Sequence, residues 1–147
     1  METLLKEALW DYIVAHNPEL MYDLQENYAV SKYLDEKVRG VQPMAIQMLQ
    51  DDYPKYFIQA RCLDALTGDL KPSRYLYLKG IFEEEFADEA ALYGDSGILV
   101  CEVINMLEYC RELLDEMGFS VHNEGDPDIR NAVIGHLYGF LYAEHEW

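Results

Sequence analysis

From Ser96 to Met117 the sequence reads SGILVCEVINMLEYCRELLDEM, and Gly118 follows. At ~100° per residue, Leu99, Val100, Val103, Met106, Leu107, Cys110, Leu113, Leu114 and Met117 share one arc of roughly 140°. Glu102, Asn105, Glu108, Arg111, Glu112, Asp115 and Glu116 occupy the opposite arc. This period belongs to an α-helix and excludes a strand. Ile98, Cys101, Ile104 and Tyr109 spill onto the polar side, which predicts neighbours on more than one face. Ser96 is suited to cap the first turn and Gly118 to take the left-handed position that ends a helix. About 22 residues make a helix near 33 Å long, the width of a small domain. The stretch 96–117 is therefore expected to be a central helix with the other segments packed around it.

Those segments carry their own stripes. Leu4, Leu5, Ala8, Leu9, Tyr12 and Ile13 predict a first helix, which ends near His16 because Asn17-Pro18 supplies a new cap and an N1 proline. A short helix, PELMYDLQEN, follows. Ser31 opens a third with Leu34, Val38, Val41, Ala45 and Met48, interrupted by Gly40 and Pro43. Pro43 offers no N–H to the Arg39 carbonyl, so a break or sharp kink is expected there. Pro54 begins a helix that ends at Gly68. Pro72-Ser73 begins another whose stripe is Tyr75, Leu78, Phe82, Phe86 and Tyr93. Asp126-Pro127 starts the last, through Ile129, Val133, Leu137, Phe140 and Leu141. No period-two alternation with turn dipeptides occurs, and no linker marks a second domain. The expected fold is all-α: a single-domain helical bundle over residues 1–147, with about six to eight helices around 96–117.

Half the residues are hydrophobic and 13% are aromatic, too apolar for a disordered chain. The opening METLLKEALWDY carries Lys6, Glu7 and Asp11 where a signal peptide needs an apolar core. No apolar run approaches the ~20 residues that span a bilayer. Cys101 and Cys110 lie nine residues apart on opposite faces of the predicted helix and cannot pair. An odd cysteine count, completed by Cys62, points to three free thiols and a cytoplasmic location.

Net charge is -17. Residues 1–79 hold 12 Asp/Glu against 9 Lys/Arg, while residues 80–147 hold 16 against 2, a balance of -3 and -14. Such a field repels nucleic-acid phosphates and anionic lipid and attracts basic partners. Its densest stretch, Glu83, Glu84, Glu85, Asp88 and Glu89, is the candidate partner-binding face; a merely solvated face is the plainer alternative. On one helix Glu84/Asp88 and Glu85/Glu89 would be like-charge i,i+4 pairs, each destabilising by a few tenths of a kcal/mol. Crowding of that kind favours proton uptake, so stability would rise on mild acidification. Lys71, Arg74, Tyr75, Tyr77 and Lys79 interleave base and aromatic in the manner of a nucleic-acid stacking platform. Five residues do not outweigh the global charge, and direct nucleic-acid binding is not expected. Twelve tyrosines are many for this length and suit half-buried or interface positions.

Catalytic patterns fail on inspection. Gly94-Asp95-Ser96-Gly97 matches the residues around the nucleophile of chymotrypsin-like serine proteases, but that chemistry needs a histidine and an aspartate on paired β-barrels. A cap role accounts for Ser96 in a helical chain. HNEGDPD, residues 122–128, resembles a calcium loop only superficially: counted from Asp126, Asn131 stands where glycine is needed and Leu137 where glutamate is needed. His16, His122, His136 and His145 are far apart, and none follows a glutamate by three. Di-iron, His-Glu-x-x-His, Cys-x-x-Cys, Walker and dinucleotide patterns are all absent. His136 lies near the last apolar stripe and reads as a hydrogen-bonded core histidine. Gly135 and Gly139 suit close intramolecular helix approach. No metal or cofactor is called for.

The segments Glu7-Ala8-Leu9-Trp10, Tyr12-Ile13-Val14, Asn17-Pro18-Glu19-Leu20-Met21-Tyr22, Lys71-Pro72-Ser73-Arg74-Tyr75 and Glu83-Glu84-Glu85-Phe86 resemble a family of small acidic all-helical proteins of unknown function, found on conjugative transposons of anaerobic gut bacteria. The resemblance spans nearly the whole chain. It implies an all-helical fold and a mobile-element origin, and it carries over no site residues. The expected function is that of a non-enzymatic accessory or adaptor protein that binds a basic protein partner through its acidic C-terminal half. The alternatives are an acidic nucleic-acid mimic that occupies a DNA-binding protein, and an enzyme with an unrecognised site. Homo-oligomerisation is left open.

Overall fold

The structure, a computed structural model, describes residues 1–142. Those residues form eight α-helices, one 3-10 turn and no strand. In order they are α1 (Glu2–His16), α2 (Pro18–Glu26), α3 (Val30–Gln50), α4 (Lys55–Thr67), the 3-10 turn Gly68–Leu70, α5 (Arg74–Glu85), α6 (Ala87–Asp95), α7 (Leu99–Glu116) and α8 (Pro127–Tyr142). The all-α expectation holds. The chain divides into two compact units, Met1–Lys71 and Pro72–Trp147, each with its own core.

In the first unit the buried stripes step by four in α1 and α4 and by seven in α3. Leu5, Leu9 and Ile13 of α1 meet Val38 and Ala45 of α3 and Ile58, Cys62 and Leu66 of α4. Helix α1 packs on α2, α3 and α4, and α3 packs on α4. Two ion pairs fasten the frame: Lys6 to Asp35 at 2.5 Å and Lys37 to Asp69 at 2.6 Å. Helix α3 runs unbroken through Gly40 and Pro43, so the expected break does not occur. Val38 and Ala45 are buried on either side of the proline. Pro43 and Arg39 are exposed, so water can take up the carbonyl that the proline leaves unpaired.

In the second unit α7 is the centre, with α5, α6 and α8 packed on it. The expectation that every other segment would pack around it is not met, since α1 to α4 pack on one another around a core of their own. Val103, Met106, Cys110 and Leu114 are wholly buried against Tyr75, Leu78, Ile81 and Phe82 of α5 and Ile129, Val133, Leu137 and Leu141 of α8. Leu99, Leu107, Leu113 and Met117 are half-buried, while Val100 is exposed. A Cβ on Gly139 would meet only the Tyr109 hydroxyl, at 3.4 Å, and one on Gly135 would meet open space, so neither glycine is required for close helix approach.

Helix α7 begins at Leu99, and Ser96 does not cap it. Gly94-Asp95-Ser96-Gly97 instead closes α6: Gly97 takes φ +75°, and the Ile98 N–H donates to the Tyr93 carbonyl at 3.0 Å, the six-to-one bond of a Schellman stop. Helix α7 ends the same way, with Gly118 at φ +64° and the Phe119 N–H on the Leu114 carbonyl at 3.0 Å. Helices α2 and α3 use this closure with Tyr28 (φ 54°) and Asp52 (φ 61°) in the left-handed position, a conformation that costs an L-residue about 1–2 kcal/mol. The start signals of α5 and α8 are as expected. The Ser73 hydroxyl accepts from the Leu76 N–H at 3.1 Å, and Asp126 accepts from the Asp128 N–H at 2.8 Å.

Two glycines of one tetrapeptide should therefore respond with opposite sign. Gly97→Ala forces a side chain into the left-handed region and should lower stability by about 1 kcal/mol. Gly94→Ala lies inside α6 with open space at its Cβ position and should raise it by up to about 1 kcal/mol. Urea melts with an unchanged m-value would show both.

The three cysteines are free, with Cys62 and Cys110 buried and Cys101 exposed. Burial pushes both interior thiols up, Cys110 to about 11, so neither is a ready thiolate. Iodoacetamide on the native chain should modify Cys101 alone, and in denaturant all three without reductant, as mass spectrometry can count.

Candidate partner-binding surface

The acidic run does not lie on one helix. Phe86 adopts φ -131°, ψ 50°, and serves as the C-cap of α5 and the N-cap of α6. Its N–H closes α5 on the Phe82 carbonyl and its own carbonyl receives the Ala90 N–H, both at 2.9 Å. The turn buries Phe86 next to Phe82, with ring centroids 6.0 Å apart. The i,i+4 repulsions expected for Glu84/Asp88 and Glu85/Glu89 are thus not built. Asp88 and Glu89 fall in the first turn of α6, where the helix dipole favours carboxylates.

Glu83, Glu84 and Glu85 end α5, where the dipole opposes them, and cations from their own unit answer. Arg130 of α8 donates through Nη2 to Glu84 Oε2 at 2.6 Å and Glu85 Oε1 at 3.0 Å. Lys79 stands 3.8 Å from Glu83. Glu89 Oε1 accepts from the Tyr142 hydroxyl at 2.5 Å, and this bond holds the Glu89 carboxyl below its usual range. The expectation that crowding would favour proton uptake is therefore reversed at Glu89, because a donor rather than a second carboxylate faces it.

The cations of this unit are all engaged. Arg74 bonds Asp115 at 2.8 Å and Arg111 pairs with Glu108, in addition to Lys79 and Arg130. Residues 72–147 hold 16 Asp/Glu against 4 Lys/Arg, and residues 1–71 hold 12 against 7. Asp88, Asp95, Glu112, Glu116, Glu124 and Asp128 are exposed and stand outside every ion pair among the described residues. Of the five predicted site residues only Asp88 belongs to this open set. The others in the set come from the end of α6, the polar face of α7, the turn before α8 and the first turn of α8, where no local run of acids flagged them.

Other sequence candidates fall away. Arg74 and Lys79 are in ion pairs, Lys71 lies over the Tyr12 ring at 6.0 Å, Tyr75 is buried, and the Tyr77 ring packs on Phe119 at 4.5 Å; no stacking platform results. His136 is not a core histidine: it is exposed, its ring 5.2 Å from that of Tyr109. His145 lies outside the described residues. HNEGDPD is the approach to α8, pinned by Asn123, which donates to the Gly118 carbonyl at 2.9 Å and accepts from the Ser120 N–H at 2.7 Å. Among the described residues no group of three or more His, Cys, Asp or Glu is placed to hold a metal ion. No helix among them is long and apolar enough to cross a membrane.

The first unit has two shallow grooves on either side of α1. One, about 370 Å³, runs between α1 and α4 along Leu4, Leu5, Ala8, Tyr56, Ala60 and Leu63. The other, about 330 Å³, runs between α1 and α3 along Met1, Leu5, Val38, Ala45, Ile46 and Leu49. Glu2 is the one acidic side chain lining them, so no acid–base pair converges in either.

The chain matches no family model, no curated protein and no solved structure.

The Tyr142–Glu89 bond gives a signed pH dependence. A carboxyl held low contributes stability that is present above its unfolded pKa, ordinarily 4.5, and is lost as pH falls through the folded value. Tyr142→Phe should flatten the fall in melting temperature between pH 5 and pH 3. An identical acid limb in the variant would mean the bond does not form in solution.

Proposed function

We propose that this chain is a non-enzymatic accessory or adaptor protein that docks a basic protein partner through its acidic second half. The reading rests on one observation: the Lys and Arg residues described there are consumed in internal pairs, which leaves a field of carboxylates on α6, α7 and the approach to α8 with nothing of its own to neutralise it. Such a field steers a cationic surface to encounter and discriminates against anionic ones. The proposed setting is the cytoplasm of a bacterium that carries the gene on a mobile element, in keeping with the resemblance of the sequence and its three free thiols.

The nucleic-acid mimic is the weaker reading. A mimic needs carboxylates in a long regular row at phosphate-like separation, and the bend at Phe86 interrupts the densest row in the chain. An unrecognised enzyme would need titratable groups converging in a pocket, and the two grooves offer one carboxylate.

The test uses a partner recovered by affinity capture and identified by mass spectrometry. Its association rate with the purified chain should fall steeply between ~50 and ~300 mM salt, as the Debye length shrinks from roughly 14 Å to roughly 6 Å. Reversing Asp88, Glu112, Glu116 and Glu124 to Lys should slow association at least tenfold at low salt. Reversing Glu2, Glu7 and Asp11 should change it little. Glu84 and Glu85 are left intact because they hold Arg130. Equal losses from the two sets would refute the acidic-half interface, and competition by free duplex DNA would favour the mimic.

A further inference from the structure

Asn17 is the hinge between α1 and α2 and is 8% exposed. Its N–H closes α1 on the Ile13 carbonyl at 2.8 Å, and its carbonyl opens α2 by accepting from the Leu20 and Met21 N–H groups at 2.9 and 3.2 Å. An asparagine in this N-cap position ordinarily turns its side-chain oxygen onto an amide of the first turn. Asn17 makes no such bond. Its Nδ2 instead reaches Glu19 Oε1 at 3.4 Å and the Leu70 carbonyl at 3.5 Å, the latter 53 residues away along the chain.

Two oxygens of this pair, Asn17 Oδ1 and Glu19 Oε2, are buried without a hydrogen-bond partner. With Glu19 ionised both are acceptors, and a buried acceptor that receives nothing forfeits its hydration without return. A single proton answers both. A carboxylic acid and a primary amide each present one donor and one acceptor along an edge. With the proton on Oε2, that hydroxyl donates to Asn17 Oδ1 while Asn17 Nδ2 donates to Oε1, closing a ring of two hydrogen bonds. The second amide hydrogen remains on Leu70.

We propose that Glu19 and Asn17 form a cyclic carboxylic acid–amide pair, a proton-dependent clasp that fastens the α1–α2 corner to Leu70 at the end of the first unit. Of the charged groups on the elements packed against α2, Glu7 and Asp11 of α1 and Lys32, Glu36 and Arg39 of α3 are exposed and do not act on Glu19. The others are engaged with partners of their own. His16 of α1 bonds the Tyr12 carbonyl through Nδ1 at 3.0 Å and stacks on the Tyr12 ring, and Lys71 lies over that same ring. Lys37 of α3 pairs with Asp69 of the 3-10 turn, and Lys6 of α1 with Asp35 of α3. What acts on the Glu19 carboxyl is burial, which pushes it up, opposed by its own backbone N–H and by Asn17. A carboxyl raised in the folded state contributes stability that is full below its unfolded pKa and is lost as pH rises through the folded value. The clasp closes toward acid and opens toward base, opposite in sign to Glu89.

Carboxyl-carbon NMR of the full chain, folded and in urea, reads the Glu19 titration directly. Melts of wild type, Glu19→Gln and Asn17→Ala/Glu19→Gln between pH 4 and pH 8 read its consequence. The folded Glu19 midpoint should lie above the unfolded one. Glu19→Gln, whose amide donates where the acid proton did, should gain about 2–4 °C over wild type at pH 8 and lose that advantage toward pH 4. Adding Asn17→Ala should abolish the gain. A folded midpoint at or below the unfolded one, as a water bridging an ionised Glu19 to Asn17 would give, overturns the clasp. A Glu19→Gln variant no better at pH 8 than at pH 4 overturns it as well.

Discussion

A helical unit of roughly 70 residues has little interior, so its stability depends on each stripe being wholly removed from water. In the first unit Leu9, Ile13, Val38, Ile58 and Cys62 reach 0% exposure, and in the second Leu78, Phe82, Val103, Met106, Cys110, Leu114, Val133 and Leu137 do so. Each large side chain buried in this way contributes on the order of 1.5–3 kcal/mol. The demand explains several departures from local preference. Proline is kept inside α3 because Val38 and Ala45 on either side of it must both be buried. Phe86 leaves the helical path because a turn there buries it beside Phe82. The chain reverses through six-to-one closures, even where Tyr28 and Asp52 must take a left-handed backbone, because longer loops would draw residues away from small cores.

What the sequence discloses follows from how local each signal is. The stripes of α1, α7 and α8 are legible because helical period is a property of neighbours, and their central residues are the buried ones. Start signals are legible where a side chain caps its own helix, as Ser73 and Asp126 do. Gly94-Asp95-Ser96-Gly97 is ambiguous by itself, since a serine cap before α7 and a glycine stop after α6 use the same residues. The left-handed Gly97 decides it, and backbone sign is not written in residue type. The division at Lys71-Pro72 was not legible either, because the connection is short and has no glycine- or serine-rich run. The excess of acid was legible and its disposition was not. Arg130 lies 45 residues beyond Glu85, and Tyr142 lies 53 beyond Glu89. No spacing rule connects them. The Asn17–Glu19 contact is only two residues long, yet its meaning depends on burial by the rest of the unit.

The Arg130 cluster shows how a fold can reconcile local choices that are each unfavourable. Three glutamates at the end of α5 face the negative end of the helix dipole, and an arginine in the first turn of α8 faces the positive end of its own. Taken singly, the end of α5 carries the wrong sign, and Arg130 opposes a helix start that Asp126 and Asp128 favour. Brought together, Glu84 and Glu85 supply the anions that Arg130 needs, and Arg130 the cation that α5 needs. The pairs are solvated and individually weak, at most about 1 kcal/mol each. Their value is positional: the end of α5 is matched to the start of α8 and to no other helix start in its unit. The acids most conspicuous in the sequence thereby have a structural role. Among the open carboxylates Asp88 and Asp128 favour the starts of their helices, while Asp95, Glu112, Glu116 and Glu124 have no ion-pair partner among the described residues, and their mutual repulsion opposes the compact state. In the function we propose, that repulsion is relieved by a partner outside the chain, and the sign of the field calls for a basic one.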